Sequence, residues 1–479
     1  MTATPTSIPD EEKDVGTISS PSPPSPPFTS PYDWPLTRKI AIALIVSLGQ
    51  LVTLMSASMM APALPTIGRD LHMGSTEIQI SFSIYLLGLA FGPFLIGPAS
   101  EMFGRKSVWT CCNLWYIFWN AICPVGKSAA VMVVGRLLAG AGASCGTTMT
   151  GPIVADMFTR ENRGKSIALA TVFPYLGPAL GPIVGGVVSQ KVSWPWLFWV
   201  LSIFDGAVLL VGILFIRESY MPVLLRRHQR KVNGLKREPF LSAYPELLRK
   251  ARTALAVPIR LLFRRPIIII LSFLMGLEFG VYVLWLSVYA TLFIDEYHET
   301  PTISSLHYIA IAMGAWLAAQ VGGQTLDIIF KKMKARRPNE EAPPEYRVPL
   351  LAIGVLICPV GLFWAGWSAQ SGIHWIMVDI GSVIFTIGGF VTAQAVLAYL
   401  LDEFQKSAAS ANAAARMLSN LFGFSFPLFA PQLYATLGYG WGTTLLALVW
   451  TVFAVPLTVM LWFRGAEVRA VGRREENDL

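Results

Sequence analysis

Runs of about twenty apolar residues, each long enough to cross the hydrocarbon core of a bilayer, recur from residue 40 to residue 463. Twelve can be counted, at 40–62, 77–98, 107–125, 129–152, 164–188, 195–216, 266–293, 304–330, 348–367, 374–401, 408–436 and 441–463. In lipid every backbone N–H and C=O has to be satisfied inside the protein, so such a run is restricted to a helix. Composition agrees. The chain is 54% hydrophobic and 14% charged, whereas soluble proteins carry about 25% charged residues. The expected class is an all-α, multi-pass membrane protein.

Charge is sorted by loop. Residues 1–37 are rich in Pro, Ser and Thr and lack an apolar h-region, so they read as a disordered tail and not as a signal peptide. Lys and Arg then collect in alternate loops: Arg38 and Lys39, Arg105 and Lys106, Arg160, Arg163 and Lys165, the central loop, Lys331 to Arg337, and Arg473 with Arg474. The other loops hold Arg69, Lys127 and Lys191. Counting basic residues by side places both termini in the cytoplasm, as an even number of spans requires. The net charge of +8 is therefore a topology signal, and no nucleic-acid partner is expected. The expected location is the cell membrane, with the vacuolar membrane as the alternative.

Enzyme signatures are missing from the sequence. The five cysteines lie in or at the ends of apolar segments without metal-ligand spacing, and they read as packing residues. VGKS at Val125–Ser128 resembles a phosphate loop, but the glycine required five residues before Gly126 is Ala121. The five histidines are scattered. No catalysis, metal or bound cofactor is expected.

The spans divide six and six. Residues 38–216 form a first half, 217–265 a basic central loop, 266–463 a second half and 464–479 a tail. The halves echo each other: GPASEMFGRK after span 2 is matched by GGQTLDIIFKKMK at the end of span 8, which puts Asp327 in the place of Glu101. Span 5, broken by Gly and Pro, is matched by FGFSFPLFAP in span 11. Unusual helices at corresponding places in two halves point to a cavity between them.

Three groups of residues carry candidate chemistry. The first is Gly97, Glu101, Gly104, Arg105 and Lys106 with Asp156 and Arg163 in the next loop on the same side. Tight turns and opposite charges there suit a network that forms when that side closes and breaks when it opens. The second is the set of charges inside spans: Arg136 in span 4, Glu278 in span 7 and Arg416 in span 11. A charge at mid-bilayer costs at least about 2.5–3.5 kcal/mol, so it normally faces a cavity or a partner. Glu278 is a candidate proton carrier or a helix–helix hydrogen bond. If Arg136 and Arg416 converged, they would suit a carboxylate cargo. The third is PYLGPALGPIVGG in span 5. Pro174, Pro178 and Pro182 share one face, and Gly177, Gly181 and Gly185, followed by Gly186, lie where a neighbouring backbone can come close.

The loop after span 2, the stretch from Arg136 to Ser144 and the span 5 motif together resemble the major facilitator superfamily. RESYMPVLLRR, SAASANAAARMLSNLFGFSFPLFAPQLYATLGYGWG and GGVVSQKVSWPWLFWV are similar to its fungal drug:proton antiporters with twelve helices. The resemblance covers roughly residues 38–463. It implies two pseudo-symmetric six-helix bundles, a role for Arg136 in proton coupling, and a span 5 that sets which way the cavity opens. It also implies export of a drug or secondary metabolite in exchange for protons, by a monomer that needs no cofactor beyond the proton gradient. Export of an organic acid such as itaconate or citrate, and a sensor that moves nothing, are the alternatives. Glu101 stands where the superfamily often has Asp, and Trp194-Pro195-Trp196 where relatives commonly read Trp-Arg-Trp. In this fold span 6 is peripheral, so Asp205 is a weaker candidate, as is Asp379 near the outer end of span 10.

Overall fold

Twelve helices carry the chain back and forth: α1 (Leu36–Ser58), α2 (Ser75–Phe103), α3 (Arg105–Ile122), α4 (Ala129–Met157), α5 (Gly177–Lys191), α6 (Pro195–Phe215), α7 (Pro266–Tyr297), α8 (Pro301–Ala335), α9 (Val348–Gln370), α10 (Ile376–Glu403), α11 (Ala408–Ser425) and α12 (Ala430–Ala470). The structure is a computed structural model that describes residues 30–158, 170, 173–233, 240–335, 342–405 and 407–471. Within these, all regular structure is helical.

Local chemistry sets the helix limits. Pro195, Pro266 and Pro301 each stand at a first helical position, where the missing N–H has no intrahelical partner anyway. Gly104, at φ 101°, turns the chain between α2 and α3, a conformation that only glycine adopts without strain. Gly97, by contrast, lies inside α2 with open space around it, so the expected turn rests on Gly104 alone.

Nine described stretches are long and apolar enough to cross a membrane. The last, Ala408–Ala470, holds two crossings, because Gly438 leaves the helical region at φ 70°. The first turns of α12 therefore complete the eleventh crossing. Arg105, Lys106, Asn113 and Asn120 make α3 more polar, and the described part of α5 is 15 residues long. Both nevertheless pack among the others as full members.

Helices α1 to α6 pack into one bundle and α7 to α12 into a second. The bundles meet chiefly where α2 lies on α11, α5 on α8, and the turn Ala61–Ala63 after α1 on α7. Between them the central loop supplies two further helices, Met221–Val232 and Phe240–Arg264. The second packs across α2 and α11.

One end of the molecule, here the basic end, gathers the charged helix termini. Arg105 meets Asp156 at 3.1 Å and donates through Nη1 to Ser100 Oγ. In the second bundle Arg265 pairs with Glu403, Arg347 with Asp402 at 2.8 Å, and Arg469 with both Glu345 and Glu403. These pairs tie helices inside each bundle, and among the described ion pairs none joins one bundle to the other.

Candidate functional site

Between the bundles lies a cavity of about 370 Å³. Its walls come from α1 (Gln50, Leu54), α2 (Phe82, Leu86), α4 (Thr147), the Pro174–Pro178 segment, α7, α8 (Ala315), α10 and α11. At the far end, away from the basic end, Met59, Met60, Ala61 and Ala63 are fully buried and close it. Thr147 and Arg416, toward the basic end, are exposed. The cavity thus opens toward the basic end.

Most of the lining is apolar or aromatic, with Phe279, Tyr282 and Phe390 forming one wall; Tyr282 and Phe390 meet edge to face at 5.5 Å. Into this wall projects Glu278, 5% exposed. Its carboxyl lies beside Gly389 of α10, and no hydrogen bond or ion pair joins it to a described residue. Nearby on the same lining, the Tyr282 hydroxyl and the Gln50 and Gln394 carbonyl oxygens are buried without partners. Such groups have a desolvation cost of about 1–3 kcal/mol each when unpaired, so the cavity is equipped to take a ligand or water that hydrogen-bonds. Opposite Gln394, α8 loosens into a π-helical turn, Ala318–Gly322, with Gly322 against the Gln394 side chain. Interruptions of this kind concentrate at functional sites.

The three intramembrane charges separate. Glu278 and Arg416 share the cavity lining. Arg136 is fully buried inside the first bundle, off the lining. Its guanidinium donates to Ser56 Oγ at 3.1 Å, the Ser56 carbonyl at 3.0 Å and the Phe82 carbonyl at 3.5 Å, and lies over the Tyr85 ring at 4.3 Å. It fastens α4 to α1 and α2. The two arginines do not converge, so the condition for a carboxylate cargo held between them is not met.

The basic-end residues also sort differently from the sequence expectation. The acid beside Arg105 is Asp156, joined by Glu218, which accepts the Arg105 backbone N–H at 2.8 Å and sits against Gly104. Glu101 is exposed and contributes its carbonyl, to Arg226. Lys106 reaches the Ile213 carbonyl. Asp327, 71% exposed, stands 3.7 Å from Arg347, whose close partner is Asp402. Arg163 lies outside the described residues. The Arg105–Asp156 pair is formed while the cavity is open toward that end, so it does not behave as a contact that opening breaks. Glu218 belongs to RESYMPVLLRR, and its acid preceding an arginine-rich helix was the available signal.

In α5 the proline spacing costs less than expected. Pro174 opens a separate 3₁₀ turn, Pro174–Leu176, and Pro178 falls in the first turn of α5. Pro182 alone interrupts the helix. A methyl at Gly177 would strike Leu54, at Gly181 Ser58 and the Met55 carbonyl, and at Gly185 the Met59 carbonyl. That stripe therefore packs on α1, within its own bundle. Gly186 faces the other bundle, against Ser305 and the Pro301 carbonyl of α8.

A second, shallow hollow of about 430 Å³ lies on the outer surface between α3 and α6, lined by Ile117, Ala121, Trp196, Trp199, Ser202 and Ile203. It holds no titratable group and faces outward, as a groove for lipid tails would.

The sequence model described as Major Facilitator Superfamily matches residues 46–427. An uncharacterized transporter of Schizosaccharomyces pombe is 36% identical over 96% of this chain and 95% of its own length. Efflux pump vrtL of Penicillium aethiopicum is 36% identical over 98% of this chain and 93% of its own. Among solved structures, the partially occluded inward-open form of the Escherichia coli xylose transporter XylE superposes with a TM-score of 0.65 at 16% identity, covering 89% of this chain and 97% of that one. That likeness concerns the fold.

Proposed function

The chain belongs to the major facilitator superfamily, and from that premise we propose that it exports a small, largely apolar organic molecule in exchange for protons. The carrying observation is Glu278. Its carboxyl, buried in the middle of α7 on the cavity wall, has no ion pair with a cation among the described residues to neutralise its charge. An ionised carboxylate there requires water, whereas a protonated one tolerates an apolar wall. Proton exchange at Glu278 would follow hydration of the cavity, and hydration changes as the bundles rock.

Cargo class and direction rest on further support. The aromatic wall and the unpartnered Tyr282, Gln50 and Gln394 groups suit an amphipathic molecule bearing hydroxyl or amide groups. Efflux is the function that the name of the Penicillium relative carries. The sorting of Lys and Arg favours the basic end as cytoplasmic, so the cavity would load from the cytoplasm. A di- or tricarboxylate would need more positive charge than Arg416 supplies, and Arg416 is the cation among the described lining residues.

The test is the metabolite profile of cells lacking the gene, beside cells restored with the wild-type or the Glu278→Gln gene. The expected result is an amphipathic compound retained inside the deletion strain and released by wild type alone. Identical profiles in all three strains would overturn the proposal.

A further inference from the structure

At the far end a second titratable cluster lies outside the cavity. His307, 8% exposed, separates the short helix Pro301–Leu306 from the rest of α8. Its ring is stacked on Phe293 of α7 with centroids 3.7 Å apart and is met edge-on by Trp375. Both ring nitrogens face carboxylates: Nδ1 lies 2.8 Å from Asp379 Oδ2 of α10, and Nε2 lies 3.0 Å from Glu299 Oε2. Tyr289 of α7 donates to the other Asp379 oxygen at 2.8 Å.

A neutral imidazole has one N–H and turns a lone pair toward its second neighbour; an imidazolium donates from both nitrogens. With two carboxylates at hydrogen-bond distance, the arrangement is complete only when one more proton is present. We propose that His307, Asp379 and Glu299 form a proton-binding site, distinct from Glu278, whose occupancy holds the far end shut.

The position of the cluster supplies the coupling. Glu299 precedes the helix Pro301–Leu306 and His307 follows it, so their contact staples that helix from end to end. The stapled helix is the part of α8 that seals against α5: Pro301 and Ser305 face Gly186, and the Thr302 N–H donates to Gln190 Oε1 at 3.1 Å. Other titratable groups stand on the neighbouring segments: Asp295, Glu296 and Tyr297 at the end of α7, His298, His374 before α10, and Lys191 at the end of α5. Asp379 and Glu299 are the ones hydrogen-bonded to the ring. Removing the extra proton leaves a lone pair facing a carboxylate, which loosens the staple and the seal with it.

The experiment reads a distance and needs neither the cargo nor the direction of transport, so its failure would leave the export proposal standing. Spin labels are placed on Val192→Cys and Ile303→Cys, both exposed at the far end, in full-length protein whose five native cysteines have been replaced. Electron–electron distances are measured in lipid nanodiscs at about pH 5 and about pH 8, either side of the ordinary histidine range. The expected result is one short separation in acid, a shift toward longer separations at alkaline pH, and loss of that shift in His307→Gln. Asp379→Asn, which keeps the side-chain shape, is the second variant, and its shift should also be reduced. Wild-type distances that do not change with pH, or a shift of wild-type size in a folded variant of either kind, would overturn the proposal.

Discussion

Arg136 shows what one residue's sequence position reveals and what it hides. A lone arginine in an apolar run is conspicuous, because the membrane penalises it. Its partners are two main-chain carbonyls and a hydroxyl on helices that sequence spacing does not bring together, so its structural task was invisible. Arg136→Ala removes those donors from buried acceptors, and the stability loss is expected to be about 3 kcal/mol, by analogy with breaking a buried charged network. A thermal melt of purified protein checks this. Glu278 was legible for the same reason as Arg136, and its place on the cavity wall agrees with the sequence reading of a charge facing a cavity. His307 was not legible. It is one of five scattered histidines, its partners lie 8 and 72 positions away, and a place near the outer end of span 10 makes Asp379 a weaker candidate by sequence.

Helix α5 carries the lesson at the scale of an element. The repeat of Pro and Gly announced an unusual helix, and the echo in FGFSFPLFAP matches the 3₁₀ turn Phe426–Phe429 between α11 and α12. Which neighbour each glycine touches could not be read, because a stripe of small residues fits any helix that comes close. The structure separates two roles, and two substitutions separate them experimentally. Gly181→Leu forces a side chain into Ser58 and Met55 of α1; such overpacking costs about 1–3 kcal/mol, so both the melting temperature and transport should fall. Gly186→Ala places one methyl against Ser305 and Pro301 of the opposite bundle. Its melting temperature should stay close to wild type while transport is lost, since only the seal between bundles is disturbed. Equal melting temperatures for the two variants would contradict this division.

Across the whole molecule, the spans and their six-and-six division were legible in hydropathy and internal echo, because length and apolarity leave a membrane segment few choices, whereas the gathering of each six into a bundle came from the family resemblance. The ion pairs proved harder to read. Arg265, Glu345, Glu403 and Arg469 converge from four separate segments, and the loop sequence pointed instead to Glu101, which stays outside. With the described pairs confined within bundles, each half is braced as a unit, and the halves meet through the α2–α11 and α5–α8 contacts and the turn Ala61–Ala63 on α7. We propose that the two halves rock about this cavity, whose Glu278 carboxyl has no hydrogen bond or ion pair to a described residue. The direct test is purified protein in liposomes with a pH-reporting dye inside, supplied with the compound that the deletion strain retains. The account predicts proton movement opposite to cargo movement, with both lost in Glu278→Gln. Cargo movement without proton flux, or coupling undiminished in that variant, would contradict it.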